Sequence, residues 1–245
     1  MSIYLYAIAR SGQPEIALPP GIAGQPVRVI ESGPLCHYVS DCDAPTLRPE
    51  RRNIAASQAV LRALQAEIDL LPMAFGTMAQ SDSAAVELLE RHRDRLITNL
   101  DRVQGAVEMG VRLNLDVPDA ISHIVQKTPE LLQARDRAFG GRKPPSHDER
   151  IRLGQLCEGT LRRYQQAQLE RLVALLTPSC SAVTAMPLQD DRQLANLAAL
   201  VPRDAVAAFE AAVSAAAEVF EDELTFVLNG PWPPYNFVQF DAESR

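Results

Sequence analysis

The sequence predicts an α+β protein of two domains: a small N-terminal α+β domain over residues 1–104, and a ferredoxin-like sandwich with an enlarged helical crossover over 105–245. Three observations carry this prediction. Short β-rich runs are interspersed with helical apolar stripes throughout, so neither element type is confined to one part of the chain. From Val107 onward the order is strand, helices, strand, strand, helix, strand, the split βαβ pattern. The texture also changes at Asp116, where a long helical stretch separates the first of those strands from the second.

The elements follow in order. Ile3–Ala9 is β-rich without clean alternation, which fits a strand buried on both faces. Residues 11–25 hold Pro14, Pro19, Pro20, Gly21 and Gly24 and read as a loop. Val27–Glu31 and Leu35–Ser40 are strands joined by the Ser32-Gly33-Pro34 turn. A helix opens near Pro49 with Ile54, Leu61, Leu64, Ile68 and Leu71 on one stripe, and Pro72 then enforces an extended segment. Ser81 or Ser83 caps a second helix running to Leu100, with Ala85, Leu88, Leu89, His92 and Leu96 on its stripe. Val107–Leu115 alternates as a half-buried strand.

Two short helices, 119–125 and 129–138, come next, followed by a linker at Gly140-Gly141 and Pro144-Pro145. Ser146 and Glu149 form a capping box for a helix reaching Leu176, whose stripe of Leu153, Leu156, Cys157, Leu161, Tyr164, Leu172 and Leu175 or Leu176 is expected to face a core. Residues 182–188 and 194–201 read as strands, 204–221 as a helix, and 224–228 as the last strand.

Composition narrows the functional classes. The 47% hydrophobic content suits a chain with a substantial core, and no run approaches eighteen apolar residues, so no transmembrane helix is expected. The Met1–Tyr6 start lacks a basic n-region, which points to a cytoplasmic protein. Cys36, Cys42, Cys157 and Cys180 form no CxxC pair and fit reduced thiols. A net charge of −7 argues against general nucleic-acid binding, which needs a basic face.

No catalytic or metal constellation can be assembled. Cys36-His37 beside Asp41-Cys42-Asp43 is the densest ligand cluster, but it offers only three soft or imidazole ligands, and strand alternation points Cys36 and His37 to opposite faces. Gly140-Gly141-Arg142-Lys143 lacks the Ser or Thr and the preceding strand of a phosphate loop. We expect no metal, no cofactor and no enzymatic activity. Glu108, at the start of its strand, is expected to hydrogen-bond neighbouring backbone.

The most informative stretch is Gly230-Pro231-Trp232-Pro233-Pro234-Tyr235-Asn236-Phe237. Three prolines in four positions fix φ and remove backbone donors around the only tryptophan, so the segment reads as a stiff ribbon that cannot pair as a central strand. Two roles fit together here. One is a strap whose aromatics lie on their own core; the other is a surface on which Trp232, Pro233, Pro234, Tyr235 and Phe237 meet another protein.

This octet resembles the C-terminal signature of the GvpL/GvpF family of gas vesicle proteins. Leu71-Pro72-Met73-Ala74-Phe75-Gly76-Thr77 resembles a second family stretch, with Ala74 where members often carry Arg, and Leu200-Val201-Pro202-Arg203 is a weaker echo. The resemblance runs from Met1 to about Phe240 and gives Pro72, Phe75, Gly76, Glu108, Gly230 and Pro231 as structural motif positions. It implies an α+β N-terminal domain and a modified ferredoxin-like C-terminal domain. It further implies a non-enzymatic accessory or minor structural protein of the gas vesicle, which binds the hydrophobic shell protein GvpA and possibly other gas vesicle accessory proteins, with no nucleic acid or membrane partner. The alternative is a ligand-binding regulatory module, since ferredoxin-like domains often sense small molecules.

Overall fold

The computed structural model describes residues 2–43, 46–140, 146–220 and 222–238. Its compact units are drawn from the described residues of Met1–Met109, Leu200–Arg203 and Gly230–Arg245 in one, and of Gly110–Ala199 and Asp204–Asn229 in the other.

The first unit is built on a sheet of β1 (Ile3–Arg10), β2 (Arg28–Ser32), β3 (Leu35–Asp41), β4 (Leu70–Pro72) and β5 (Met78–Ala79), in the order β2-β3-β1-β4 with β5 also on β1. All pairings are antiparallel, and β1 runs against β3 from Ile3↔Asp41 to Arg10↔Leu35 with a bulge between Leu5 and Ala7. Every residue from Ile3 to Ala9 is buried. That burial explains the missing alternation: helices cover both faces, so both side-chain sets must be apolar.

One face packs Tyr4, Tyr6, Tyr38 and Cys36 against Val60, Leu61 and Leu64 of α1 (Arg51–Glu67), with Ile22 closing the side. Burial of some thirteen such side chains supplies the main stabilisation of the unit, at about 1.5–3 kcal/mol for each large one. On the other strands sit α2 (Asp82–Arg91), against β2 and β3, and α3 (Arg93–Val103), against β4.

Two expectations are corrected here. The helix expected to carry Ile68 and Leu71 ends at Glu67; Ile68 is already extended, and Leu70–Pro72 forms β4. Apolar periodicity alone cannot tell a helix stripe from a short buried strand, and Pro72 is tolerated because β4 lies at the sheet edge. The helix expected from Ser81 to Leu100 breaks at His92 (φ −113°, ψ 15°). His92 therefore joins two helices that pack on different strands and does not lie mid-stripe. Ser81 does cap the first of them, accepting from Ala84 N–H.

The second sheet contains β6 (Ala106–Leu115), β7 (Ala182–Ala185), β8 (Gln193–Pro202) and β9 (Leu224–Trp232), in the order β7-β8-β6-β9. Counted from β6 as first, this is the ferredoxin-like order 2-3-1-4. Three helices make the enlarged crossover: α4 (Ala120–Lys127), α5 (Pro129–Phe139) and α6 (His147–Leu176); α7 (Val206–Val219) makes the second. The Ser146–Glu149 capping box forms as expected, with both reciprocal bonds present.

The stripe of α6 is corrected in its first half. Leu172 and Leu176 are buried as expected, but Leu156 is exposed, and Leu153 and Leu161 line a groove of about 400 Å³ together with Ile121, Ile124, Leu131 and Phe139. The helix is thirty residues long, and α4 and α5 pack against it and share this groove. The expected linker lies outside the described residues beyond Gly140, as does Glu221 at the expected end of α7.

The last strand also departs from expectation. β9 continues through Gly230-Pro231-Trp232, so the first part of the octet is strand after all. β9 is an edge strand, the place in a sheet where proline is tolerated.

Candidate functional site

The octet is held by a few well-defined contacts within the first unit. Gly230 has φ +127°, a conformation that side-chain-bearing residues avoid, and a Cβ there would lie 2.9 Å from both the Glu108 carbonyl oxygen and Met109 Sδ. The Gly230-Pro231 peptide is cis. Past Trp232 the chain turns into a 3-10 helix, Tyr235–Phe237, in which Phe237 N–H donates to the Pro234 carbonyl (3.2 Å).

Glu108 is the clasp. The residue is 6% exposed, and its carboxylate accepts two hydrogen bonds from Asn236, one from the backbone N–H (2.8 Å) and one from Nδ2 (2.6 Å). Burial pushes its pKa up, and the two bonds from Asn236 offset part of that rise. The expected backbone bond is therefore present, and a side-chain bond that the sequence did not suggest stands beside it.

The ribbon's side chains divide into two sets. Pro233, Pro234 and Phe237 are buried, whereas Trp232 is half-buried and Tyr235 is 41% exposed. The Tyr235 phenol is crowded by protein and lies within electrostatic reach of Tyr4 and Glu108, which together push its pKa up to about 12. It stays a neutral hydroxyl at physiological pH.

The second motif lies in the same unit. Leu71 and Pro72 end β4, and the chain then reverses through Ala74–Thr77, where Thr77 N–H and Oγ1 both donate to the Ala74 carbonyl (3.1 and 2.7 Å). Gly76 supplies the positive φ (+87°) that the third position of such a turn requires. The turn is locked onto β1 by Leu5 N–H to Thr77 O (3.0 Å) and Met73 N–H to Tyr6 O (2.9 Å). Tyr4 Oη accepts from Gly76 N–H (3.4 Å) and meets Ser57 Oγ (3.0 Å), while its ring lies 6.2 Å from that of Phe75. Phe75 is 36% exposed. Tyr4 thus anchors the turn of the second motif through Gly76 and Phe75.

The third motif has a structural task in the same unit. The Arg203 guanidinium donates to the carbonyls of Gln65 and Ile68 (2.9 Å for Ile68) and to Asp69 Oδ1 (3.1 Å). Those are the open carbonyls at the end of α1, where a cation also complements the helix dipole. Asp69 Oδ2 in turn accepts from Gly105 N–H (3.0 Å), just before β6.

Sequence reading missed Tyr4, Tyr6, Arg203 and Asn236. Tyr6 Oη accepts from Ile22 N–H (2.7 Å), meets Ser40 Oγ (2.8 Å), and lies where a Cβ on Gly21 would be (2.1 Å). The available signal was a polar aromatic pair in a strand otherwise too apolar to need hydroxyls. The Cys36-His37 cluster does not converge. Cys36 joins the α1-facing core, with burial pushing its thiol up to about 11, whereas His37 is buried and held down to about 4 by loss of hydration. Among the described residues, no three His, Cys, Asp or Glu side chains are grouped to hold a metal ion. No described helix is long and apolar enough to cross a membrane.

Comparison with known proteins agrees with the motifs. A family model described as gas vesicle synthesis protein GvpL/GvpF matches residues 2–239. Gas vesicle protein F of Streptomyces sp. (strain CB03234) is 31% identical over 98% of this chain and 100% of its own, and gas vesicle protein L of the same strain is 29% identical over 98% and 94%. The crystal structure of GvpF from Microcystis aeruginosa superposes with a TM-score of 0.83 at 24% identity, covering 98% of this chain and 99% of that one. GvpF from Anabaena sp. PCC7120 gives 0.81 at 22% identity, over 98% and 97%. These two establish the α+β fold. The chain belongs to the GvpL/GvpF family of gas vesicle proteins.

Proposed function

We propose that this gas vesicle protein is a non-catalytic, cytoplasmic assembly factor that binds the hydrophobic shell protein GvpA and presents it to the growing vesicle, with other accessory proteins as possible further partners. The observation that supports this reading best is that two distant motifs lie in one unit with an exposed aromatic each, Phe75 on a turn bonded to β1 and Tyr235 on the ribbon clasped by Glu108. Rigid aromatics lose little conformational entropy when buried by a partner, so such a pair is an efficient anchor for an apolar surface. In this scheme Tyr235 and the open side of Trp232 make contact, and Pro233, Pro234 and Phe237 hold them in place. The negative charge keeps a complex with an aggregation-prone subunit in solution.

The test is a GvpA pull-down with Tyr235→Ala, Phe75→Ala and Trp232→Ala single variants and the Trp232/Tyr235 double variant, each paired with thermal melting. Loss of capture by variants that melt like the wild type supports the ribbon as the contact. Full capture by a well-folded double variant removes it.

A further inference from the structure

Among the described residues, the four-stranded sheet ends at β9, whose sole neighbour in the strand order is β6. From Leu224 to Asn229 the strand reads Leu-Thr-Phe-Val-Leu-Asn, with no charge and no proline. Edge strands are ordinarily protected by an inward charge, a proline or a bulge, because their open backbone groups are a template for another strand. Here the first proline comes only at Pro231. The opposite edge, β7, is just four residues long.

The register shows which groups are open. Asp116 N–H donates to the Glu223 carbonyl (2.7 Å), Thr225 Oγ1 reaches the Asn114 carbonyl (3.5 Å), and a Cβ on Gly110 would strike the Asn229 side chain. All three fit one antiparallel alignment. Hydrogen-bonded residues alternate in such a ladder, so Thr225 and Val227 direct their backbone groups to β6, and Leu224, Phe226 and Leu228 direct theirs to the outer edge. Among the described residues, no backbone group outside the sheet bonds to those three. Val227 is 42% exposed, and Phe226 and Leu228 are half-buried, Phe226 resting edge-on against Phe220 at 5.3 Å.

We propose that β9 is a self-recognition edge, on which two copies of this chain pair β9 to β9, antiparallel, about a twofold axis at Val227. The strand is complementary to itself in that register. Val227 faces its own symmetry mate, Phe226 faces the other copy's Leu228 on the helix-covered side, and Thr225 faces Asn229 on the open side. Apolar residues meet apolar ones, polar meets polar, and no charge is brought against another. About four new backbone hydrogen bonds form, from the outward groups of Phe226 and Leu228. This self-complementarity is what selects a second copy over an unrelated strand. The proposal does not depend on shell-protein binding.

Sedimentation velocity of the full chain, from low micromolar to several hundred micromolar, tests it. The expected result is a reversible doubling of mass with concentration, together with slower exchange of the Phe226 and Leu228 amides. V227K, which sets two like charges on the axis at an exposed position, is expected to abolish the doubling without moving the melting temperature. Should it melt early, T225K at a second exposed position serves in its place. A wild type that stays monomeric throughout, a dimer that survives a folded lysine variant, or amide protection seen only when another vesicle protein is added would each overturn the proposal.

Discussion

Replacing Asn236 by Ala removes one of the two donors to Glu108 and leaves the backbone N–H in place. The lost bond is charge-assisted and 2.6 Å long, and its acceptor is buried. Bonds to charged groups contribute about 1.5–3 kcal/mol. Asn236 is itself exposed, so water partly replaces it and the lower end applies, about 1.5 kcal/mol. In a chain of this size, that corresponds to a melting shift of roughly 3–6 °C. The only tryptophan, Trp232, lies in the ribbon and reports locally on it. The expected result is a lowered melting point together with a red-shifted Trp232 emission well below the melt, because the ribbon loosens before the core. Glu108→Gln is expected to be milder, since the Asn236 amide can turn its oxygen toward the new amide group. An N236A protein that melts within 1 °C of wild type with unchanged emission, against the roughly 3–6 °C expected, would refute the clasp as the holder of the ribbon.

Further perturbations follow from the same geometry. His37 is buried and neutral with its pKa held down to about 4, so the unfolded chain takes up a proton between about pH 6.5 and 4 that the folded chain refuses; stability falls as pH falls through that window, by about 3 kcal/mol. Urea midpoints at several pH values should show this slope, and His37→Leu should flatten it. Gly21→Ala drives a methyl into Tyr6 Oη and should cost about 2 kcal/mol or more, with part of that cost removed in a Tyr6→Phe background; fully additive urea midpoints would contradict the contact. Arg203→Met strips the end of α1 of its cation and should cost about 2–3 kcal/mol, read as a lowered urea midpoint; an unchanged midpoint would show the cap to be idle.

How legible these features were depends on the range of the interaction behind each. The Ser146–Glu149 capping box and the alternation of β6 are local, and both stand where spacing put them. The end of α1 was hidden because the i, i+3 spacing of Ile68 and Leu71 continues the helix stripe, and the decision comes from β1, which offers Ala7–Ala9 as a partner more than sixty residues away in sequence. The break at His92 carries no proline or glycine; it reflects packing of α2 and α3 on different strands. In the candidate site, the octet announced itself by composition. Its clasp did not, because one Asn between two aromatics has no special signature until Glu108 is brought to it by the fold. Tyr4 likewise reads as an ordinary strand aromatic, and only tertiary structure places it against Phe75 and Gly76.

The central claim is that the locked aromatic pair holds the shell subunit, and co-expression with GvpA examines it most directly. The soluble fraction of GvpA is measured beside wild-type chain, Tyr235→Ala and Phe75→Ala, both at exposed positions. The account predicts that the wild type keeps GvpA in the supernatant and that each folded variant releases most of it to the pellet. GvpA that pellets equally with and without the wild-type chain, or stays soluble with both variants, would contradict it.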